Sequence, residues 1–256
     1  MKLYSRIYGD NIQDLIIIHG LFGMSDNWNS LGRQFAKYYK VHLIDLRNHG
    51  RSPHAEEFNY NVMCEDIFEY VEANNIKKPI LLGHSLGGKV AMKFAFTYPE
   101  NIKKLVIADI APRKYNTDYH QNLLTIISEI NLKNYTKRNE IDIALSSFIK
   151  EPAIRSFLLK NLFRDIDNNF AWRFNLKGLL NQLNNIQDDS FVVGACNIPT
   201  NFMRGGNSNY ITHFDEHKIN THFSNSSITT IEGAGHWLHA EKPERFYNEV
   251  IKFCLM

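Results

Sequence analysis

The segment GHSLGG, residues 83 to 88, has the spacing of a turn that could present a nucleophilic serine. Gly83 and Gly87 flank Ser85 in the G-x-S-x-G pattern, after an apolar run and before a helical stretch. A sharp turn between strand and helix lifts the serine hydroxyl out of the sheet, and the free N–H groups of the helix point at the reaction site. The pattern therefore predicts Ser85 as the nucleophile of an acyl transfer.

Backbone N–H groups that could stabilise the resulting oxyanion lie in two segments. One is the residue after the nucleophile, Leu86, and the other belongs to IIIHGLFG, residues 16 to 23, which follows an early strand. We expect the second donor to be the N–H of Leu21, with Phe22 as the alternative. His19, in the same segment, is expected to brace the loop by hydrogen bonding.

A histidine base is predicted in EGAGHWLHAEKPERF, residues 232 to 246, after the last predicted strand. His236 occupies a glycine-rich loop from which an imidazole can reach back over the sheet. His239 lies nearer the following helix and is expected to pack or cap. We therefore predict His236 as the general base that activates the serine.

The carboxylate that should orient this histidine is missing from the loop where hydrolases of this kind carry it, because GGNS places Ser208 there. The chain order of nucleophile, acid and base limits the candidates to residues between Ser85 and His236. Asp109 ends the buried run in KKLVIADIAP, where a carboxylate needs a partner such as an imidazole N–H. We expect Asp109 to be the acid, with Ser208 hydrogen-bonded to Asp109 or His236 as a fourth member.

Three other carboxylates fit this role less well. Asp215 and Glu216 lie beyond the GGNS segment at a predicted exposed helix start. Asp45 precedes the turn RNHGRS, where its carboxylate is expected to brace backbone N–H groups, and it also precedes Ser85 in the chain. Asp215 and Glu216 remain the next candidates.

The elements that must position these residues alternate along the chain. Runs rich in Ile, Leu and Val are continuously apolar, which predicts strands buried on both faces, at residues 14–20, 40–46, 79–85, 103–110, 199–205 and 227–233. Helical patterns lie between or after them, at residues 59–75, 87–102 and 242–256. The alternation predicts an α/β fold with a mostly parallel, doubly wound sheet.

One segment interrupts the alternation. Residues 113–197 contain no buried strand pattern and are helical in pattern. An insertion at this point would lie over the carboxyl ends of the strands, where open α/β sheets bind ligands. We therefore predict a core formed by residues 1–112 and 198–256, with residues 113–197 as a helical cap.

The cap is expected to form a pocket for the acyl group. Candidate apolar walls, which could equally serve to hold the cap together, are Phe22, Phe148, Phe157, Leu158, Phe163, Trp172, Phe174 and Trp237. Lys89 and Arg173 could meet an anionic substrate such as an acyl-CoA, or they could form structural ion pairs.

The composition excludes several classes of protein. The 256 residues carry a net charge of +2, which indicates no nucleic-acid partner. Three cysteines without motif spacing favour a reducing compartment over a disulfide framework. No apolar segment resembles a signal peptide or reaches the length of a membrane span, so we expect a cytoplasmic protein. The oligomeric state cannot be predicted.

Several motifs together resemble the α/β-hydrolase superfamily and are most similar to YbfF-type bacterial esterases and their abhydrolase-domain-11 relatives. The motifs are IIIHGLFG, DLRNHGRSP, GHSLGGK, VIADIAP, WRFN, GGNS and GAGHWLHAEKP. The resemblance runs nearly end to end and is weakest in the cap. It implies an α/β-hydrolase fold, hydrolysis of esters or thioesters, no metal and no organic cofactor. It also implies the Asp109 and Ser208 arrangement.

Other functions share parts of this pattern. A carbon–carbon bond hydrolase or a cofactor-free haloperoxidase could use the same triad, and a ligand receptor could be built on the same scaffold. An epoxide hydrolase or haloalkane dehalogenase needs an aspartate at the turn, and Ser85 excludes both.

Overall fold

Continuous apolar runs form the central β-sheet, because both faces of the sheet are covered. The structure is a computed structural model that describes residues 1–187 and 189–256. Within these residues the strands are β1 (Ser5–Tyr8), β2 (Asp14–Ile18), β3 (Lys40–Ile44), β4 (Ile80–His84), β5 (Lys104–Ala108), β6 (Leu162–Arg164), β7 (Phe170–Trp172), β8 (Thr200–Gly205) and β9 (Ser226–Ile231).

The main sheet has the strand order β1-β3-β2-β4-β5-β8-β9. Strand β1 is antiparallel to β3, and the other neighbours are parallel. The sheet agrees with the predicted, mostly parallel arrangement. The sequence patterns did not reveal β1, because its SRIY segment lies at the sheet edge and is only partly buried.

Side chains of the central strands point alternately into two hydrophobic layers. In β2, Ile16 and Ile18 pack into one layer, whereas Leu15 and Ile17 pack into the other. Because side chains alternate along a strand, a strand covered on both faces must be apolar at every position. This requirement explains the continuous LIII run.

Helices connect the strands and cover both faces. They are α1 (Asn29–Phe35), α2 (Tyr60–Ala73), α3 (Leu86–Thr97), α4 (Asp118–Glu129), α5 (Arg138–Ser146), α6 (Pro152–Leu159), α7 (Leu176–Gln182), α8 (His213–His222), α9 (Leu238–Glu241) and α10 (Pro243–Leu255). The three helices expected from the patterns are α2, α3 and α10, and α3 ends just before Pro99. No helix of the described residues is both long enough and apolar enough to cross a membrane.

The segment between β5 and β8 contains α4 to α7 and also a short hairpin of β6 and β7. The sequence indicated helices and no buried strand in this segment, and it did not predict the partly exposed hairpin. Its turn depends on Asp165, whose carboxylate accepts the N–H of Asn169 at 2.8 Å, and on Asn168, whose φ is +62°. Asparagine tolerates this left-handed conformation, so a tight turn replaces a helix here.

Hydrogen bonds attach this segment to loops at one edge of the sheet. The side chain of Asn161 donates to the carbonyl of Phe22, after β2, at 2.8 Å. The N–H of Asn175 donates to the carbonyl of Asn48, after β3, also at 2.8 Å. Both loops follow the carboxyl ends of strands, where a cap would lie. The division into a core and a cap of residues 113–197 remains a prediction.

Candidate active site

The turn between β4 and α3 holds Ser85 in a strained backbone conformation, with φ 52° and ψ −116°. Close packing on both sides requires glycine. A Cβ on Gly83 would lie 2.3 Å from the carbonyl oxygen of Gly87, and a Cβ on Gly87 would lie 2.3 Å from that of Ile18. A non-glycine residue at positive φ persists only where its surroundings hold it, and such residues concentrate at functional sites.

Asp109 directly follows β5 and is fully buried, with a φ of +52°. The Nδ1–H of His236 donates to its Oδ2 at 2.8 Å, and the N–H of Gly205 donates to its Oδ1 at 2.9 Å. A carboxylate held in this way fixes the orientation of the imidazole, and in the neutral ring it leaves Nε2 as the acceptor. The structure thus brings Asp109 and His236 together.

Ser208 lies on the loop after β8 and contacts the same carboxylate. Its hydroxyl donates to Oδ2 of Asp109 and accepts the N–H of Tyr210 at 3.2 Å. The structure therefore places a neutral hydroxyl at the loop position where an acid was sought, bonded to the acid of the neighbouring strand.

The competing carboxylates have other partners. Asp215 forms an ion pair with Arg113 at 2.8 Å, and Glu216 forms one with Arg204 at 2.7 Å. Asp45 accepts the N–H of Arg51 in the turn after β3, as expected from the sequence, and also the N–H of Ser25 in the segment after β2. These contacts give all three carboxylates structural roles.

Two further histidines lie beside His236. The Nε2–H of His84 donates to the backbone carbonyl of His236 at 2.9 Å. His239 stacks on Trp28 with ring centroids 4.1 Å apart, which is the packing role expected for it. Burial lowers the pKa of His239 to about 3 and that of His84 well below its ordinary value, so both are neutral at pH 7.

The two backbone N–H groups that we expect to stabilise the oxyanion have no protein acceptor within the described residues. In the described part of the chain, the N–H groups of Leu21 and Leu86 make no hydrogen bond to a protein group. His19 braces the segment before Leu21, because the Nδ1 of the His19 ring forms a hydrogen bond with the carbonyl of Gly20 at 2.8 Å. The alternative donor, Phe22, has a φ of +60°.

Two cavities meet at the serine. The first, of about 170 Å³, is lined by His236 and by apolar side chains that include Phe157, Leu158 and Trp237. The second, of about 210 Å³, has more polar walls, formed by Tyr60, Lys89, Arg113, Asn116, Thr117 and Asn209 among others. Four residues line both cavities: Leu21, Ser85, His120 and Tyr210.

Ser85 and His236 share the first cavity. In the residues that the structure describes, the serine hydroxyl makes no direct hydrogen bond to the imidazole. Catalytic hydrogen bonds of this kind commonly tighten only when substrate binds. The arrangement can transfer a proton once the two groups close on a substrate.

The candidate pocket residues divide into two groups. Phe22, Trp237, Phe157 and Leu158 line the first cavity, and Lys89 lines the second. The ammonium of Lys89 donates to the carbonyl of Arg113, so it is held by protein contacts.

The structure places the other expected pocket residues away from both cavities. Phe148 is 57% exposed, and Phe174 is buried behind Phe22 with its ring stacked on Trp172. The guanidinium of Arg173 lies 4.7 Å from the ring centroid of Phe163. These five residues pack against neighbouring aromatic rings, Phe22 among them, or face solvent, and their assignment to the pocket remains a prediction.

Sequence reasoning missed two residues at the site. The ring of Tyr210 stacks on His236 at 3.8 Å with an interplanar angle of 18°, and so restrains the imidazole. His120 reaches the junction of the cavities from α4. Neither belongs to a motif, although the position of Tyr210 just after the GGNS segment offered a signal.

The match to known proteins extends over nearly the whole chain. The model of the α/β-hydrolase fold family matches residues 15–243. A solved structure of a marine microorganism esterase is 38% identical, with a TM-score of 0.93, and covers 98% of this chain and 99% of its own. The chain is 33% identical to mouse sn-1-specific diacylglycerol lipase ABHD11 over 98% of this chain and 84% of the relative. It is 31% identical to Escherichia coli esterase YbfF over 95% of this chain and 93% of the relative. The chain therefore belongs to the α/β-hydrolase fold family and is a hydrolase related to its esterases and lipases.

Proposed function

We propose that this chain is a serine hydrolase that cleaves carboxylic esters or thioesters, acyl-CoA thioesters included, through an acyl-enzyme. The observation that carries the proposal is the hydrogen bond between buried Asp109 and His236, because His236 lines the same cavity as Ser85. The named esterases and lipases among its relatives support the reaction class.

The first half of the reaction acylates the enzyme. Nε2 of His236 takes the proton of the Ser85 hydroxyl, and the serine oxygen attacks the carbonyl carbon. The N–H groups of Leu21 and Leu86 stabilise the oxyanion, and each such donor contributes a factor of about 10²–10³ in rate. When the tetrahedral intermediate collapses, the bond to the leaving group breaks and His236 protonates the departing alcohol or thiol.

The second half releases the acid. A water molecule gives a proton to His236 and attacks the acyl-enzyme, and the proton then returns to the oxygen of Ser85. Asp109 accepts the Nδ1–H of His236 and stabilises the imidazolium in both halves. Ser208 donates to the same carboxylate oxygen and holds it in place.

Steady-state hydrolysis tests this assignment. Turnover is measured on 4-nitrophenyl esters and CoA thioesters from acetyl to dodecanoyl, for the wild type and Ser85→Ala. Loss of the nucleophile should lower kcat by about 10⁶. Ser128→Ala, which removes an exposed serine of α4, is the matched control and should leave turnover unchanged. Retention of a tenth of wild-type turnover by Ser85→Ala would refute the mechanism.

Parallel assays with other substrates separate the related reactions. Cleavage of a vinylogous diketone, without cleavage of any ester or thioester, would favour a carbon–carbon bond hydrolase. Halide-dependent peroxidation without ester cleavage would favour a haloperoxidase. A folded protein that converts none of these substrates would favour a ligand receptor.

We also propose a cytoplasmic location. All three cysteines, Cys64, Cys196 and Cys254, are unpaired and buried, which fits a reducing compartment. Cell fractionation of the native protein checks this expectation, and recovery outside the cytoplasmic fraction would contradict it.

A further inference from the structure

A histidine of α4, His120, lies where the two cavities meet at Ser85, and the mechanism above does not use it. Its ring neighbours are the aromatic rings of Phe22, at a centroid distance of 6.2 Å, and Tyr119, at 5.6 Å. Nδ1 of His120 is buried and has no hydrogen-bond partner among the described residues. An imidazole in such surroundings retains hydrogen-bonding capacity that no protein group satisfies.

The protonation state of this ring follows from its surroundings. Burial, and secondarily the charge of nearby His236, lower the pKa of His120 to about 4. The ring is therefore neutral at pH 7 and carries one N–H. An orphaned N–H is rarer in protein interiors than an orphaned acceptor, which favours a bare Nδ1 and a proton on Nε2. Nε2–H is then the donor available to the cavities that the ring lines.

The leaving group is the part of a substrate that His120 can meet. The leaving oxygen must lie beside His236, because this histidine protonates it. His120 and His236 line the same cavity. A leaving group that extends from His236 into this cavity therefore brings its first atoms toward the His120 ring.

We propose that His120 is a specificity-determining residue that donates a hydrogen bond to an acceptor oxygen in the leaving alcohol, close to the scissile ester. The ligand class is esters of alcohols that carry an ether, hydroxyl or carbonyl oxygen near the leaving oxygen. Such an oxygen satisfies the N–H, whereas an alkyl leaving group buries it without a partner. This inference rests on the esterase function proposed above.

A pair of isosteric esters tests it. 2-Methoxyethyl butyrate and butyl butyrate differ only by an oxygen in place of a methylene, and the measured quantity is the ratio of their kcat/KM values. His120→Leu should reduce this ratio about three- to tenfold, the effect of one neutral hydrogen bond. His120→Gln, which retains an amide donor, should preserve part of the ratio.

Controls distinguish a failure of the role proposed for His120 from a failure of the esterase function. His217→Leu makes the same substitution at an exposed helical position and should leave the ratio unchanged. An unchanged ratio in His120→Leu, whether or not both kcat/KM values fall, would overturn the role of His120 while leaving the esterase function intact. A wild type that cleaves neither butyrate nor any ester of the acyl series would instead refute the esterase function.

Discussion

At the residue scale, a carboxylate that precedes the usual loop in the chain still reaches the histidine. Asp109 directly follows β5, the strand that pairs with β8, and the N–H of Gly205 at the end of β8 donates to its Oδ1. Neighbouring parallel strands end at the same edge of the sheet, so a side chain at the tip of one can replace a side chain at the tip of the next. Ser208 donates a hydrogen bond to this carboxylate and adds no charge beside it.

If Asp109 is the acid in place of residue 208, substitutions at these two positions should have unequal effects on kcat. Asp109→Asn should lower kcat on an activated ester by about 10⁴, by analogy with the same change in the trypsin triad, because the amide holds His236 in the wrong tautomer. Ser208→Ala removes one neutral hydrogen bond and should lower kcat only about two- to tenfold. Comparable losses in both variants would show that the roles of the two residues are not separated in this way.

A double variant supplies the control for that prediction. Asp109→Asn combined with Ser208→Asp moves the carboxylate to the loop after β8. Partial recovery of kcat relative to Asp109→Asn is the expected result if position 208 lies within reach of the imidazole. Near-full activity of Asp109→Asn alone would direct attention to Asp215 and Glu216.

Residues differ in how well the sequence revealed them. Ser85 and His236 stand in motifs whose backbone requirements are local, namely a glycine-flanked turn and a glycine-rich loop. Asp109 could be inferred because a buried strand end with a carboxylate needs a partner. His120 and Tyr210 belong to no motif, and their places beside the site follow from the packing of the chain; only the position of Tyr210 just after the GGNS segment offered a local signal.

At the scale of elements, the turn between β4 and α3 depends on glycine at Gly87. A Cβ there would meet backbone atoms of the loop after β2, and backbone cannot move aside as a flexible side chain can. Gly87→Ala should therefore destabilise the fold by about 1–3 kcal/mol, the usual range for overpacking, and displace Ser85. Urea unfolding and kcat are measured together.

The matched control is Gly194→Ala. Gly194 has a φ of +79° but no heavy atom within 4 Å of an added Cβ, so this substitution tests backbone strain without steric overlap. It should leave kcat unchanged and lower the free energy of unfolding by about 1–2 kcal/mol. Equal effects of the two substitutions on kcat would show that close packing at the turn does not position Ser85.

Pattern predicted the central elements better than the peripheral ones. Strands buried on both faces need consecutive apolar residues, so the apolar runs in the sequence were enough to predict β2, β4 and β5. Edge strand β1 and the hairpin of β6 and β7 are short and partly exposed. Their pairing depends on distant partners or on a side-chain turn, and neither leaves a strong periodic signal.

At the scale of the whole molecule, buried neutral histidines should make the fold sensitive to acid. Burial lowers the pKa of His19 to about 4, and burial is also the main cause that lowers the pKa of His49 and His239 to about 3. Below the unfolded pKa of about 6.5, the unfolded chain binds protons that the folded chain excludes. The stabilisation is complete above that pH and is lost as pH falls toward 4.

The expected size follows from proton linkage. Each such histidine should contribute roughly 1 kcal/mol of unfolding free energy per pH unit between about pH 4 and 6.5. His239→Phe preserves an aromatic ring beside Trp28 and should reduce the slope of unfolding free energy against pH by the contribution of one histidine. His217→Phe, at an exposed site, should leave this slope unchanged. Urea unfolding at several pH values measures the slope. A slope near zero would contradict the neutral state of these buried rings.

The proposed function depends on the activation of Ser85 by His236 and Asp109 for attack on a carbonyl. A fluorophosphonate probe tests it most directly, because phosphonylation forms a bond from the serine oxygen to phosphorus and expels fluoride only when the serine is activated. Mass spectrometry of the digested protein should locate one probe per chain on the peptide that contains Ser85, with much slower labelling in Asp109→Asn. Absence of labelling in the folded wild-type protein, or labelling of a different residue, would show that Ser85 is not an activated nucleophile.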